Sequence, residues 1–234
     1  MDIYTEWANY RNLLNPNFFV HSKLLYDTET NLSSLPFCTK WSTPYTRDSL
    51  HWSRRFEYPW ILEQIAPPNK DDMFMDAGAG TTPLQFFLCD YVKEYHSLDF
   101  DQEAFAFLNN MKNYGIAHHL VPVLADVTDL SMYPDDFFNN SISVSVLEHM
   151  SDSDITRAVE EQLRVTKETC LVTMDMVIDQ TTDSPIHGDG LGIFKNGLPS
   201  ILDSMIDLPP LPSDAIRVVL DNKALAVICI QLKK

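Results

Sequence analysis

A glycine-rich turn and three acids carry the chemistry open to this chain. The turn reads Asp76-Ala77-Gly78-Ala79-Gly80-Thr81-Thr82-Pro83. Glycines at such a point let the backbone approach a ligand closely, and the turn falls between a strand and a helix, where parallel sheets bind nucleotides. A dinucleotide fingerprint needs a third glycine where Pro83 stands, and proline has no N–H to offer a pyrophosphate. Asp76, two residues ahead of Gly78, repels phosphates and welcomes a cationic ligand. A P-loop is excluded because no Gly-Lys-Ser/Thr follows. Asp99 lies at the end of the next strand, where a carboxylate accepts both hydroxyls of a ribose. Asp126-Val127 closes the third strand, and from there an acid and the next N–H can read an adenine edge. Taken singly, each acid is also what a solvated strand end or a helix cap looks like.

Positioning these groups takes alternating strands and helices beyond Pro67-Pro68, the pattern of a parallel α/β sheet. A first strand covers about Met73 to Asp76. The helix after it starts at Pro83, a residue suited to the first helical position, and Leu84, Phe87, Leu88, Tyr91 and Val92 share one face. A second strand, about Glu94 to Leu98, leads into a helix capped by Asp101 that buries Ala104, Phe107, Leu108 and Met111 and stops near Gly115. Strands follow at about His119 to Leu124 and Ser141 to Ser145. A helix from Ser153 or Asp154 has Ile155, Ala158, Val159, Gln162 and Leu163 on one face, and a fifth strand covers about Cys170 to Met174. Residues 180–200, with Gly188, Gly190, Gly192 and Gly197, read as a long turn-rich connection. Ile216 to Leu220, a turn at Asp221-Asn222 and Leu225 to Leu232 form a terminal hairpin.

Of the 234 residues, 45% are hydrophobic and 21% charged, as in globular proteins. The apolar run that includes Leu225 to Ile230 is the longest and is far too short for a membrane helix. The start MDIYTEW has no basic segment followed by an apolar one, so a secretory signal is not expected. Cys38, Cys89, Cys170 and Cys229 are scattered without metal-ligand spacing and read as reduced, mostly buried thiols of a cytoplasmic protein. The net charge of −16 opposes binding to a phosphate backbone. That excess lies wholly in residues 61–234, since residues 1–60 hold six basic and six acidic side chains. The same sixty residues hold half of the aromatic rings and all four tryptophans, Trp7, Trp41, Trp52 and Trp60. They read as a cap packed on the main domain, as a lid over a pocket, or as both. The expected organisation is a cap over 1–60 and a sheet domain over 61–234.

The residues of that domain resemble the class I S-adenosylmethionine-dependent methyltransferases, small-molecule branch. Asp76 to Gly80 looks like their first motif, Asp99 like their ribose-binding acid, and Ala125-Asp126-Val127 like their adenine-contacting motif. Phe138 to Met150, FNNSISVSVLEHM, is similar to their fourth strand and the turn after it, with Asn139 where an acid is commoner. The resemblance covers roughly residues 60–234, in order. It implies a Rossmann-like, seven-stranded, mostly parallel sheet with an antiparallel last strand and helices on both faces, and S-adenosyl-L-methionine as cofactor. Asp76, Ala77, Gly78, Gly80 and Thr81 would shape the bed for the methionine moiety. Asp99 would hold the ribose, Phe100 would pack on the adenine, Asp126 and Val127 would meet its polar edge, and Ser143 and Val144 would lie near the amino group. Arg54 or Arg55 would pair with the cofactor carboxylate, because an arginine fork matches a carboxylate. A structural ion pair from either arginine to Glu57 is the competing reading.

Methyl transfer is an in-line displacement that demands alignment above all. If the acceptor is a hydroxyl or a protonated amine, a base must take its proton, and His149 or His187 is the candidate. A metal site from His118, His119, His187 and Asp189 matches no ligand spacing. The expected activity is methyl transfer to an oxygen or nitrogen of a small molecule. The alternative is a binding or partner protein that keeps the fold without turnover. The sequence leaves the acceptor and the oligomeric state open.

Overall fold

The computed structural model describes residues 1–35, 53–65, 69–178, 185–187, 200–206, 209–216, 218–220 and 223–234; for 185–187, 218–220 and 223 this covers the backbone only. The strands are β1 (Asp2–Trp7), β2 (Met73–Ala77), β3 (Glu94–Asp99), β4 (Leu120–Leu124), β5 (Phe138–Val144), β6 (Thr166–Ile178), β7 (Pro185–His187), β8 (Val218–Leu220) and β9 (Lys223–Lys233). The helices are α1 (Tyr10–Leu13), α2 (Pro16–Ser33), α3 (Arg54–Gln64), α4 (Pro83–Leu88), α5 (Gln102–Asn113), α6 (Asp152–Val165) and α7 (Ser200–Met205).

Seven strands lie in the order β1-β9-β6-β5-β2-β3-β4, with β7 and β8 as short additions to β6 and β9. Pairing is parallel from β6 through β5, β2 and β3 to β4, and antiparallel where β9 joins β6 and β1 joins β9. The fold class read from the sequence is therefore present, including the antiparallel strand near the edge. The expected hairpin is β8–β9, with Val218 opposite Leu225 and Leu220 opposite Lys223.

Each central strand alternates between two cores because successive side chains leave opposite faces. Phe74, Tyr95, Ile142 and Leu171 face α2, α3, α4 and α5. Met75, Leu98, Val172 and Met174 face α6 and α7. Asp76 returns to the first face, where Tyr95 reaches it. After β4 the chain crosses back to place β5 on the other side of β2, with Asp76 opposite Ile142. That reversal opens a crevice at the carboxyl ends of β2 and β5, the usual ligand position in such sheets.

Several boundaries differ from the sequence reading, each for a local reason. The helix expected to run through Val92 ends at Leu88 and tightens into a 3-10 turn at Cys89–Tyr91, because Val92 already has extended backbone leading into β3. Tyr91, expected on the buried face, is 44% exposed. Helix α6 starts earlier than Ser153, since Ser151 is the cap and its hydroxyl accepts from the Asp154 N–H at 3.2 Å. Strand β6 is longer than expected because ten of its residues pair with β9. Residues 2–7, within the expected cap, are an edge strand of the sheet, and Trp60 of α3 donates to Glu6 of that strand. Cys38, Trp41, Trp52 and the glycines at 188, 190, 192 and 197 lie outside the described residues.

Glu29 on α2 is 6% exposed, and its Oε1 has no donor among the described residues. Burial pushes its carboxyl up to about 7 from 4.5. Between those values the native state keeps a proton that the unfolded chain has lost, so stability falls as pH rises through the window. At about 1.4 kcal/mol per unit, the loss is on the order of 3 kcal/mol by pH 8. Glu29→Met is expected to raise stability at pH 8 by about that amount, with the gain shrinking as pH falls toward 4.5. Denaturant melts at pH 5 and 8 check it, and equal gains at both would refute it.

Candidate functional site

The crevice at the switch point holds a cavity of about 260 Å³ between the glycine turn, the tip of β5 and α3. Of the sequence candidates, Arg54, Asp76, Gly78, Gly80, Thr81 and Val144 line it. Tyr58, Asp101 and Ser145 also line it, and the sequence reading gave none of them a place in the site.

The glycine turn has its shape for steric reasons. Gly78 has φ of +74°, a conformation that costs other residues. A Cβ on it would stand 2.6 and 2.7 Å from the two methyls of Val146. Gly80 has φ of +52°, with nothing within 4 Å of where its Cβ would be. Gly78→Ala is therefore expected to cost about 2–4 kcal/mol from clash and strain together, against about 1–2 kcal/mol for Gly80→Ala. Adding Val146→Ala should recover only the clash. Denaturant melts of the three variants test this ranking, and equal losses for the two glycines would contradict it.

Asp99 locks the turn from β3. The Gly80 N–H donates to its Oδ2 at 2.7 Å and the Asp101 N–H to its Oδ1 at 2.9 Å. Asp76 is 4% exposed and accepts from the Tyr95 hydroxyl at 2.8 Å. Burial pushes its carboxyl up to about 7, and the charge of Asp99 adds to the effect. Ala77 packs beneath the turn, 2% exposed.

Across the cavity, Arg54 donates to Glu57 and to the Ser145 hydroxyl, and its guanidinium lies 5.9 Å from the Tyr58 ring centre. Glu57 has no exposed surface; Ser145 and Thr173 donate to its Oε1 at 2.9 and 2.5 Å. Arg54 and these hydroxyls hold the Glu57 carboxyl below its ordinary value despite burial. Ser145, just past β5, has φ of +50°, a left-handed conformation that is costly for serine. The Glu57 network holds it there. Both readings of the arginines thus meet in Arg54, which pairs with Glu57 and also faces the cavity. Arg55 is exposed on α3, outside the cavity wall.

The remaining candidates are not among the residues that line the cavity. Phe100 is 78% exposed beside Asp99. Asp126 is exposed and accepts from the N–H and hydroxyl of Thr128 at 2.9 and 2.8 Å, while Val127 is buried behind it. Ser143 is buried and stands opposite Val172 in the sheet. His149 is exposed at the end of the 3-10 turn Leu147–His149. His187 stands opposite Met176 in the backbone pairing of β7 with β6. Burial pushes the thiols of Cys89 and Cys170 up to about 12 and raises that of Cys229, so none of these three is a ready thiolate. Among the described residues no group of three His, Cys, Asp or Glu side chains converges as metal ligands, and no helix is long and apolar enough to cross a membrane.

The segment 75–173 matches the family model described as a methyltransferase domain. Comparison with curated proteins returns no match. Among solved structures, the chain is similar to the YcgJ protein from Bacillus subtilis, with a TM-score of 0.56 and 16% identity, over 75% of this chain and 97% of that one. It is also similar to a geranyl diphosphate methyltransferase solved in complex with SAM, with a TM-score of 0.55 and 10% identity, over 75% and 83% of the two chains. A third likeness is to the cyclase SpnF, with a TM-score of 0.51 and 18% identity, over 82% and 72%. At these identities the likeness is one of fold.

Proposed function

We propose that the chain, whose residues 75–173 match the model of a methyltransferase domain, uses S-adenosylmethionine to methylate an oxygen or nitrogen of a small molecule. The observation that carries this reading is the cavity at the switch point, which brings Arg54, Asp76 and the glycine turn face to face. Its walls fit the cofactor. Gly78 leaves the backbone bare where a Cβ has no room. One wall offers a buried acid to a cation, and the other offers a guanidinium to a carboxylate.

S-adenosylmethionine, when bound, supplies a methyl on a positively charged sulfur, open to in-line displacement. Arg54 would take the carboxylate of its methionine end, held at the right angle by Glu57. Asp76 would balance positive charge, and Asp99 would accept from the ribose hydroxyls. Phe100 would cover the adenine, Asp126 and Val127 would meet its edge, and Ser143 and Val144 would flank the amino group. His149 and His187 remain candidate bases. The aromatic N-terminal segment already contributes Arg54 and Tyr58 to the cavity wall, which supports its role as a cover on the acceptor side. The charge of −16 favours a small acceptor over nucleic acid, and the free thiols fit a cytoplasmic setting.

Calorimetric titration with S-adenosylmethionine and its demethylated product tests the cofactor reading, and a screen of small acceptors for gain of one methyl group tests the activity. Binding without any methyl gain would favour the second reading, a binding or partner protein that keeps the fold without turnover. No binding of either compound would sink the first. Affinity for the cationic cofactor should also rise severalfold from pH 6 to 8, because a cation binds best to ionised Asp76, whose carboxyl titrates at about 7. Asp76→Asn should flatten that profile, and an unchanged slope would remove Asp76 from the site.

A further inference from the structure

The same sheet edge carries two carboxyls that the cofactor residues leave unused. Glu148 lies in the 3-10 turn after β5, three residues beyond Ser145, and is 1% exposed. Asp175 lies on β6; its backbone N–H donates to Glu148 Oε1 at 3.2 Å, and its carboxyl is near enough to act on Glu148 by charge. Glu148 Oε2 and Asp175 Oδ1 are both shut off from solvent, and neither has a donor among the described residues. Asp175 follows Thr173 on the same face of β6, Thr173 donates to Glu57, and Glu57 pairs with Arg54 of the cavity wall, so the pair lies one layer behind that wall.

We propose that Glu148 and Asp175 form the acceptor site and that the acceptor is an amine, entering as its ammonium ion. The inference rests on the methyltransferase reading above. Two orphan acceptors need two donors in one small group. An ammonium carries three N–H donors, whereas an alcohol carries one. Charge points the same way. The charged groups near the pair are Glu57 and Arg54 from α3, and Arg54 is already committed to Glu57 and Ser145. An incoming cation relieves that excess of buried carboxyls, while an anionic acceptor would be repelled. A metal ion is the weaker occupant, since no third ligand converges among the described residues.

The pair also has the proton affinity that the reaction needs. Burial and their mutual repulsion raise Glu148 well above the carboxylate range, and burial pushes Asp175 up to about 7. The bound ammonium gives one proton to a carboxylate of the pair: an N–H bond breaks, an O–H bond forms, and the electron pair stays on nitrogen as the nucleophile. No histidine is required for that step.

The test is calorimetry with three matched probe pairs: benzylamine and benzyl alcohol, 2-phenylethylamine and 2-phenylethanol, cyclohexylamine and cyclohexanol. Each is titrated at pH 7 into the whole chain, with and without the demethylated cofactor product. At least one amine is expected to bind ten times more tightly than its alcohol and to release a proton, seen as a heat that depends on the buffer's ionisation enthalpy. Glu148→Gln and Asp175→Asn should each lower amine affinity at least tenfold and abolish the proton release. Their melting temperatures should hold, and should rise above pH 7, where ionising these buried carboxyls costs the wild type stability. Absence of amine binding, equal affinity for amine and alcohol, or undiminished amine affinity in both variants would overturn the proposal. Failure of the cofactor product to bind, with amine binding intact, would overturn the methyltransferase reading instead.

Discussion

Arg54→Ala is expected to lower the melting temperature by on the order of 10 °C and to abolish measurable cofactor binding. The stability loss follows from what the substitution leaves behind. Glu57 has no exposed surface and keeps only the hydroxyls of Ser145 and Thr173 once the guanidinium is gone. Removing one partner of a buried ion pair costs about 3–5 kcal/mol, and each kcal/mol shifts a domain of this size by roughly 2–4 °C. The single variant cannot separate instability from lost recognition. Arg54→Met combined with Glu57→Gln can, because it removes both charges and leaves the hydroxyls a neutral amide partner. That double variant should recover most of the stability and still bind S-adenosylmethionine at least about tenfold more weakly, since a charged hydrogen bond contributes about 1.5–3 kcal/mol. Wild-type affinity in the double variant would reduce Arg54 to an anchor for α3.

What the sequence revealed of this site follows the chain locally. The turn from Asp76 to Pro83 and the acid at Asp99 were legible because strand, turn and helix follow one another within a few residues, and glycine and proline punctuate them. The Glu57 network was hidden. Glu57 is 88 residues from Ser145 and 116 from Thr173, and only the sheet brings them together. A pair from Arg54 to Glu57 could be read from helical spacing, but not that its other side faces a cavity. Ser145 continues the alternation of β5 by pattern, and nothing in that pattern signals its left-handed backbone. Strand β1 was missed for a similar reason. Its partner β9 lies at the opposite end of the chain, with Asp2 opposite Lys233, so no local turn marks the pairing. The orphan oxygens of Glu148 and Asp175 are a property of packing alone; the sequence places an acid beside His149 and cannot say that it is buried.

Asp99→Ala is expected to weaken cofactor binding by about a hundredfold, and its two roles can be told apart. One role is internal. Its carboxylate accepts one N–H on each oxygen, from Gly80 and from Asp101, and so joins the glycine turn to the start of α5. The other is the proposed contact with the ribose, for which each oxygen keeps a second lone pair. Alanine removes both roles, and asparagine turns one oxygen into a donor that faces a backbone N–H, so Asp99→Asn should be no better than alanine. A double cycle isolates the ribose term. The 2′-deoxy and 3′-deoxy forms of the demethylated cofactor product should bind wild type at least tenfold more weakly than the parent compound. Against Asp99→Ala the same deletions should cost less than threefold, because the partner of the missing hydroxyl is already gone. If the deletions cost the same in both proteins, Asp99 acts only by holding the turn, and the ribose is bound elsewhere along the edge of the sheet.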